Sequence, residues 1–184
     1  MNLEGYIFNE TITKSGKKIL LRSPSRVDAK KMIEYFNVVA GESSNLLFGE
    51  NEFRLSISEE ESHIEKINID EGSCIIIGLI DDQIIAVAQL VRLKRKRISH
   101  NSNFSISVKK EYWGEGIGTL ILEEIIKYAK SSQTITNIHL SVNSENSRAI
   151  SLYKKFGFEK VGVHKKYICI DGTFYDEVLM DLSL

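Results

Sequence analysis

The sequence is poor in several things, and each shortage excludes a class of protein. Among 184 residues there is one proline, Pro24, and there are two cysteines, Cys74 and Cys169. Two thiols supply too few ligands for a zinc site or a disulfide framework, and both lie in apolar strand-like runs. They read as buried free thiols of a reducing compartment. Glycine, at 12 residues, is moderate, and no Pro/Gly/Ser-rich linker, low-complexity tract or internal repeat interrupts the chain. A single domain over 1–184, with its core at about 17–182, is therefore expected. No charge of one sign dominates: 24 Lys plus Arg stand against 25 Asp plus Glu, a formal net charge of −1. That balance argues against a nucleic-acid or membrane-surface partner. No apolar run approaches the ~18 residues of a membrane span. The opening MNLEGYIFNE lacks the basic-then-apolar order of a secretory signal, so a cytoplasmic location is expected.

What is present is an alternation of strand and helix patterns. A strand is expected at 17–22. A helix then begins near Ser25 or Arg26, with Val27, Met32, Ile33 and Phe36 on its apolar face and Gly41 as its stop. Residues 42–57 read as a loop. A second helix at 58–69 has Ser58 as cap and Glu61 three residues later, the capping-box spacing. Apolar β-branched runs at 73–80 and 84–91 flank Asp81-Asp82-Gln83, a hairpin signal, and 103–108 alternates as a third strand. An amphipathic helix at 117–131, a strand at 135–142, a short helix at 146–156 ending on Gly157, and strands at 159–170 and 173–182 around Asp171-Gly172 complete the chain. The fold class is mixed α/β: a twisted, mostly antiparallel sheet of about seven strands, one central parallel pair, and helices on both faces.

The chemistry concentrates in Tyr112-Trp113-Gly114-Glu115-Gly116-Ile117-Gly118-Thr119. Glycines between a strand end and a helix start let backbone approach a ligand. The first helical N–H groups lack internal partners, and the positive end of the helix dipole adds to their pull on an anion. A Rossmann GxGxxG fails, because the sixth position from Gly114 is Thr119 and from Gly116 is Ile121. The GxxxxGK[ST] phosphate loop fails as well.

A second segment, Asn146-Ser147-Arg148-Ala149-Ile150-Ser151-Leu152-Tyr153-Lys154-Lys155-Phe156-Gly157-Phe158, decides among anion sites. Here the chain resembles the GCN5-related N-acetyltransferase (GNAT) superfamily, whose hallmarks are [QR]xxGxG[AG] opening a central helix and NxxAxxLYxxxGF on the next. The second motif is complete in Asn146, Ala149, Leu152, Tyr153, Gly157 and Phe158. The first keeps Gly116 and Gly118 but has Trp113 where Gln or Arg is usual. The resemblance runs from Ile19 to Leu182 and is thinnest over 1–16 and 42–60.

The resemblance implies a GNAT fold with a splayed parallel pair, acetyl-CoA as co-substrate, no metal, and a primary amine as acceptor. It implies that backbone at Glu115, Gly116, Ile117, Gly118 and Thr119 holds the pyrophosphate. The pantetheine arm would lie along Ile106 and Val108, and Asn146 would contact CoA. Tyr153 would be the general acid for the departing thiolate, and a free N–H near Val108 would receive the oxyanion. Glu42 and Asp176 would bind the acceptor. The general base stays open among Glu42, His100, Asp176 and water. Arg92 and Lys94–Arg97 read as a solvated hairpin tip, and His63, His139 and His164 form no metal motif. The acceptor stands open among amino acids, small amines and protein N-termini. A silent acyl-CoA sensor is the rival, and a homodimer through a sheet edge is among the implications.

Overall fold

The alternating apolar runs pair into one eight-stranded sheet in the order β1-β2-β3-β4-β5-β6-β8-β7. The structure is a computed structural model that describes residues 2–50 and 52–184. The elements are β1 (Ile7–Ile12), β2 (Lys18–Arg22), α1 (Ala29–Glu42), α2 (Ile57–Asn68), β3 (Cys74–Ile80), β4 (Gln83–Arg92), β5 (Asn101–Val108), α3 (Ile117–Ser131), β6 (Asn137–Asn143), α4 (Ser147–Lys155), β7 (Glu159–Ile170) and β8 (Thr173–Ser183). Every pairing is antiparallel except β5 with β6. The parallel pair follows from the α3 crossover, since parallel neighbours need a long connection.

Helices cover both faces. On one, Ile117, Ile121, Leu122 and Ile125 of α3 pack with Cys74, Ile76, Ala88 and Leu90. On the other, Met32, Tyr35 and Val39 of α1 and Ile64 of α2 pack with Ile75, Ile77 and Val87. β3 is buried on both sides, which is why its sequence is an unbroken apolar run. The tight turns match their residues. Asp81 and Asp82 both take positive φ, 49° and 61°, as a two-residue hairpin of this twist requires. Strand pairing resumes at once from Ile80 to Gln83.

Four local expectations are corrected. The sheet has eight strands rather than about seven, because Ile7–Ile12 adds an edge strand whose half-exposed sequence carries little apolar signal. Helix α2 is capped by Ser56 and Glu59, not Ser58 and Glu61. Ser56 Oγ accepts from Glu59 N at 3.3 Å, and Glu59 Oε2 accepts from Ser56 N at 2.8 Å. Val27 is 85% exposed, because a 3₁₀ turn at Arg26–Asp28 precedes α1 and shifts the helical phase. Cys74 is buried, but Cys169 on edge strand β7 is exposed. Arg95, Lys96 and Arg97 are exposed, as a solvated tip should be. Their neighbour Lys94 is ion-paired with Asp70. No described helix is long and apolar enough to cross a membrane.

Candidate functional site

The parallel pair is the origin of the site. β5 and β6 are in register only at Asn101–Asn103 against Asn137–His139. Beyond that point β5 stays with β4 as far as Val108, and β6 stays with β8 as far as Asn143. The strands part between these two loyalties. His139 sits at the root of the opening, bonded to Asp181 Oδ1 of β8 at 2.7 Å and Asn101 Oδ1 of β5 at 2.8 Å. Lys109 N donates to Ile85 O at 2.9 Å, which fixes the phase of the β4–β5 ladder. Odd-numbered residues of β5 bond to β4, so Ile106 and Val108 turn their amide groups into the gap. A parted pair leaves backbone donors and acceptors in want of partners. The Val108 carbonyl already has one, the indole Nε1–H of Trp113 at 2.8 Å.

A cavity of about 780 Å³ fills the gap and runs to the start of α3. Gly116 is the N-cap of α3 in the left-handed conformation (φ 84°), and Gly114 is also left-handed (φ 92°). The first internal bond of α3 is Leu120 N to Gly116 O, at 3.1 Å. The N–H groups of Ile117, Gly118 and Thr119 thus have no helical acceptor, and all three residues line the cavity. Gly118 serves another purpose: a Cβ there would meet Leu152 Cδ2 at 3.2 Å, so its absence lets α3 and α4 approach. Cations flank the loop. Lys14 and Arg148 line the cavity beside Gly116 and Gly114, and Arg148 stacks on the Trp113 ring at 5.4 Å.

Of the residues singled out from sequence, Ile106, Val108, Gly116, Ile117, Gly118, Thr119, Asn146, Tyr153 and Glu42 all line this one cavity. Asn146 is also the N-cap of α4, where its Oδ1 accepts from Ala149 N at 3.1 Å. Glu42 Oε2 accepts from Lys110 N at 2.7 Å and ties the end of α1 to the chain leaving β5. Tyr153 is 7% exposed and packs between Phe104 and Phe158, at ring distances of 6.3 and 5.7 Å. Burial pushes its phenol up to about 12.

Three residues fall elsewhere. Glu115 does not line the cavity: its carboxylate accepts from Ser15 N at 2.9 Å and its carbonyl from Lys14 N at 3.2 Å, clamping the glycine loop to the β1–β2 hairpin. Those bonds from Ser15 hold it below the usual carboxylate range. Asp176 faces away, accepting from Lys165 Nζ at 2.7 Å and Lys166 N at 2.9 Å. His100 is exposed at the opposite end of β5. The cavity carboxylate that the sequence did not single out is Glu177, one residue from Asp176 on β8. It is 4% exposed and accepts from His164 Nδ1 at 3.0 Å. Lys14, Trp113, Ser141, Asn143 and Arg148 are further lining residues not foreseen. Among the described residues, no group of three or more His, Cys, Asp or Glu is placed to hold a metal ion.

A parted parallel pair beside a glycine-capped helix start has a counterpart among known families. The family model of the "Acetyltransferase (GNAT) family" matches residues 44–158, more than half of the chain. The chain belongs to the GNAT acetyltransferase family. This GNAT chain superposes with a TM-score of 0.88 on the crystal structure of a GNAT-family acetyltransferase from Streptococcus pneumoniae. The two are 27% identical, and the match covers 90% of this chain and 99% of that one. It is 30% identical over 105 residues to the L-amino acid N-acetyltransferase AaaT of Escherichia coli strain K12, covering 57% of this chain and 65% of the relative. It is 32% identical over 116 residues to the [Ribosomal protein uS5]-alanine N-acetyltransferase of the same strain, covering 61% and 59%. The chain thus spans about three-fifths of the length of these curated relatives.

Proposed function

We propose that this chain is an N-acetyltransferase that moves an acetyl group from acetyl-CoA to a primary amine by direct attack. The observation that carries this reading is the continuity of one cavity. It runs from three acceptor-less N–H groups at the start of α3, along the open edge of β5, to Tyr153. A diphosphate would accept from the N–H groups of Ile117, Gly118 and Thr119, with Lys14 and Arg148 adding charge. The amide-bearing arm of CoA would bond to the gap-facing backbone of Ile106 and Val108, satisfying groups the sheet leaves open. Asn146 would contact CoA while capping α4.

The thioester carbonyl is attacked by the free amine. An α-amino group with a pKa near 8 loses its proton far more readily than a lysine near 10.4. An N–H on the open edge of β5, near Val108, stabilises the tetrahedral oxyanion, a contribution worth about 10²–10³ in rate where such donors have been removed. As the C–S bond breaks, Tyr153 gives a proton to the sulfur. The raised value of about 12 keeps that phenol protonated through the physiological range. The test combines calorimetry with acetyl-CoA and thiol release with a panel of primary amines. Heat on titration together with amine-dependent release is expected. Heat without release from any amine would identify a silent acyl-CoA binder, and no heat would refute CoA binding altogether.

A further inference from the structure

We infer that Glu177, backed by His164, is the carboxylate that receives the acceptor's ammonium group and takes its proton. We further infer that the acceptor is an amine without a neighbouring carboxylate. The proposal deepens the acetyl-transfer reading and rests on it. Glu177 lies in β8 opposite Asn143 of β6 and His164 of β7. Its neighbour Val178 faces the α3–α4 side with Val142 and Tyr153. Alternation along the strand therefore turns Glu177 to the α1 side of the sheet. Ser107 faces the same side, since its Oγ pairs with Tyr35 Oη of α1 at 2.9 Å. Glu177 and Tyr153 thus approach the gap from opposite faces, and both line the cavity. An amine entering from the α1 side would meet a base on its own side and leave the acid behind the sulfur.

Charge within the cavity is segregated. Among the described residues its cationic lining is Lys14 and Arg148, both beside the glycine loop, and its carboxylates are Glu42 and Glu177. One oxygen of Glu42 is committed to Lys110 N. The α1-side wall otherwise presents Val39, Leu46, Leu47 and Phe48 with serines and asparagines. An ammonium fits that wall, whereas a free amino acid would bring its α-carboxylate against it with no cation to meet it. Amides, peptides and simple alkylamines carry no such penalty.

The proton balance closes. The ammonium R–NH₃⁺ gives one proton to the Glu177 carboxylate, and the neutral nitrogen forms the C–N bond. The second proton leaves by the same carboxylate as the intermediate collapses. Each then leaves Glu177 for water in the open cavity, while His164, whose side chain is half exposed, keeps its Nδ1–H on the carboxylate. The C–S bond breaks, Tyr153 protonates the sulfur, and water returns a proton to Tyr153. Amide, CoA thiol and one net proton result. The titratable groups around Glu177 are His164 from β7, Glu42 from α1 and Tyr153 from α4, with Lys14 and Arg148 at the loop.

The test uses the full chain, acetyl-CoA, and leucinamide against leucine. Wild type should favour leucinamide by about tenfold or more in kcat/KM, because like charges brought together are penalised. Glu177→Gln should keep the acetyl-CoA binding isotherm and lose about 100-fold in kcat/KM for leucinamide. Its rising pH limb should move up to the ionisation of the free amine, near 8. Glu177→Asp should recover part of the loss, and His164→Gln should move the same limb by less. Unchanged rate and pH limb in Glu177→Gln, or preference for leucine, overturns the proposal. If Glu177→Gln no longer binds acetyl-CoA, His164→Gln decides, and an unmoved limb there overturns the proposal equally. Wild type that gives no heat with acetyl-CoA instead sinks the underlying acetyl-transfer reading.

Discussion

Trp113 and Val108, five positions apart in the segment between strand end and helix start, are joined by a hydrogen bond from indole Nε1–H to the backbone carbonyl, 2.8 Å long. The bond occupies a carbonyl at the rim of the parted pair, and the same ring carries Arg148 on its face. One side chain therefore holds both the end of β5 and a cation beside the glycine loop.

Trp113→Phe keeps a ring for Arg148 and removes the bond. A single net hydrogen bond contributes about 1 kcal/mol, so the Kd for CoA should rise about fivefold. Isothermal calorimetry checks this. An unchanged Kd would mean the rim of the gap is held by other contacts.

Tyr153→Phe should lower kcat by about 10²–10³ and leave CoA affinity within about twofold, because the ring packing against Phe104 and Phe158 survives. Since burial raises the phenol to about 12, no descending limb from this group should appear in kcat below pH 10. Pre-steady-state release of thiol is the measurement, and wild-type turnover in Tyr153→Phe removes the residue from the mechanism.

Gly116→Ala forces a Cβ into the left-handed conformation (φ 84°) at the N-cap of α3. The strain costs about 1–2 kcal/mol. For a chain of this size that lowers Tm by about 2–8 °C. CoA binding should weaken as well, because the loop must shift. A melt and an isotherm that both match wild type would show that the backbone relaxes freely there.

Glu60 on α2 is 1% exposed, and its Oε1 has no hydrogen-bond partner among the described residues. Burial raises its carboxyl above the ordinary range, with nearby His63 opposing. A raised folded-state value means stability is highest below the ordinary carboxyl range and is lost as pH rises through the folded value. Glu60→Gln removes that loss. It should melt above wild type at pH 8, the difference closing toward pH 4. Parallel melting curves from pH 4 to 8 test the sign, and a constant offset would contradict it.

The glycine loop and the Asn146–Phe158 segment could be read without a structure because each is local. Turn, cap and helix start are written in consecutive residues, and their chemistry depends on backbone conformation more than on distant partners. The same holds for the Asp81-Asp82 and Asp171-Gly172 hairpins. Glu115 belongs to the loop by sequence, but its carboxylate is claimed by Ser15, a hundred positions earlier, and it stands outside the cavity. No local pattern announces such a pairing. Likewise Ser56 displaced Ser58 as a cap because both serines have a glutamate three residues later, and only packing of Ile64 and Ile67 sets the helical phase.

The amino-acid order alone determined the layered α/β plan and the glycine-rich helix start, since periodicity and short-range hydrogen bonding fix those, and the family resemblance of the Asn146–Phe158 segment pointed to Tyr153. Tertiary structure decided which acidic side chain meets the cavity. Asp176 and Glu177 are adjacent, and strand alternation sends them to opposite faces. The register break between His164 and Ile168 then lays Lys165 and Lys166 over Asp176 and leaves Glu177 to His164. A shift of one residue in that pairing would exchange their roles, and register between strands is settled by the whole sheet.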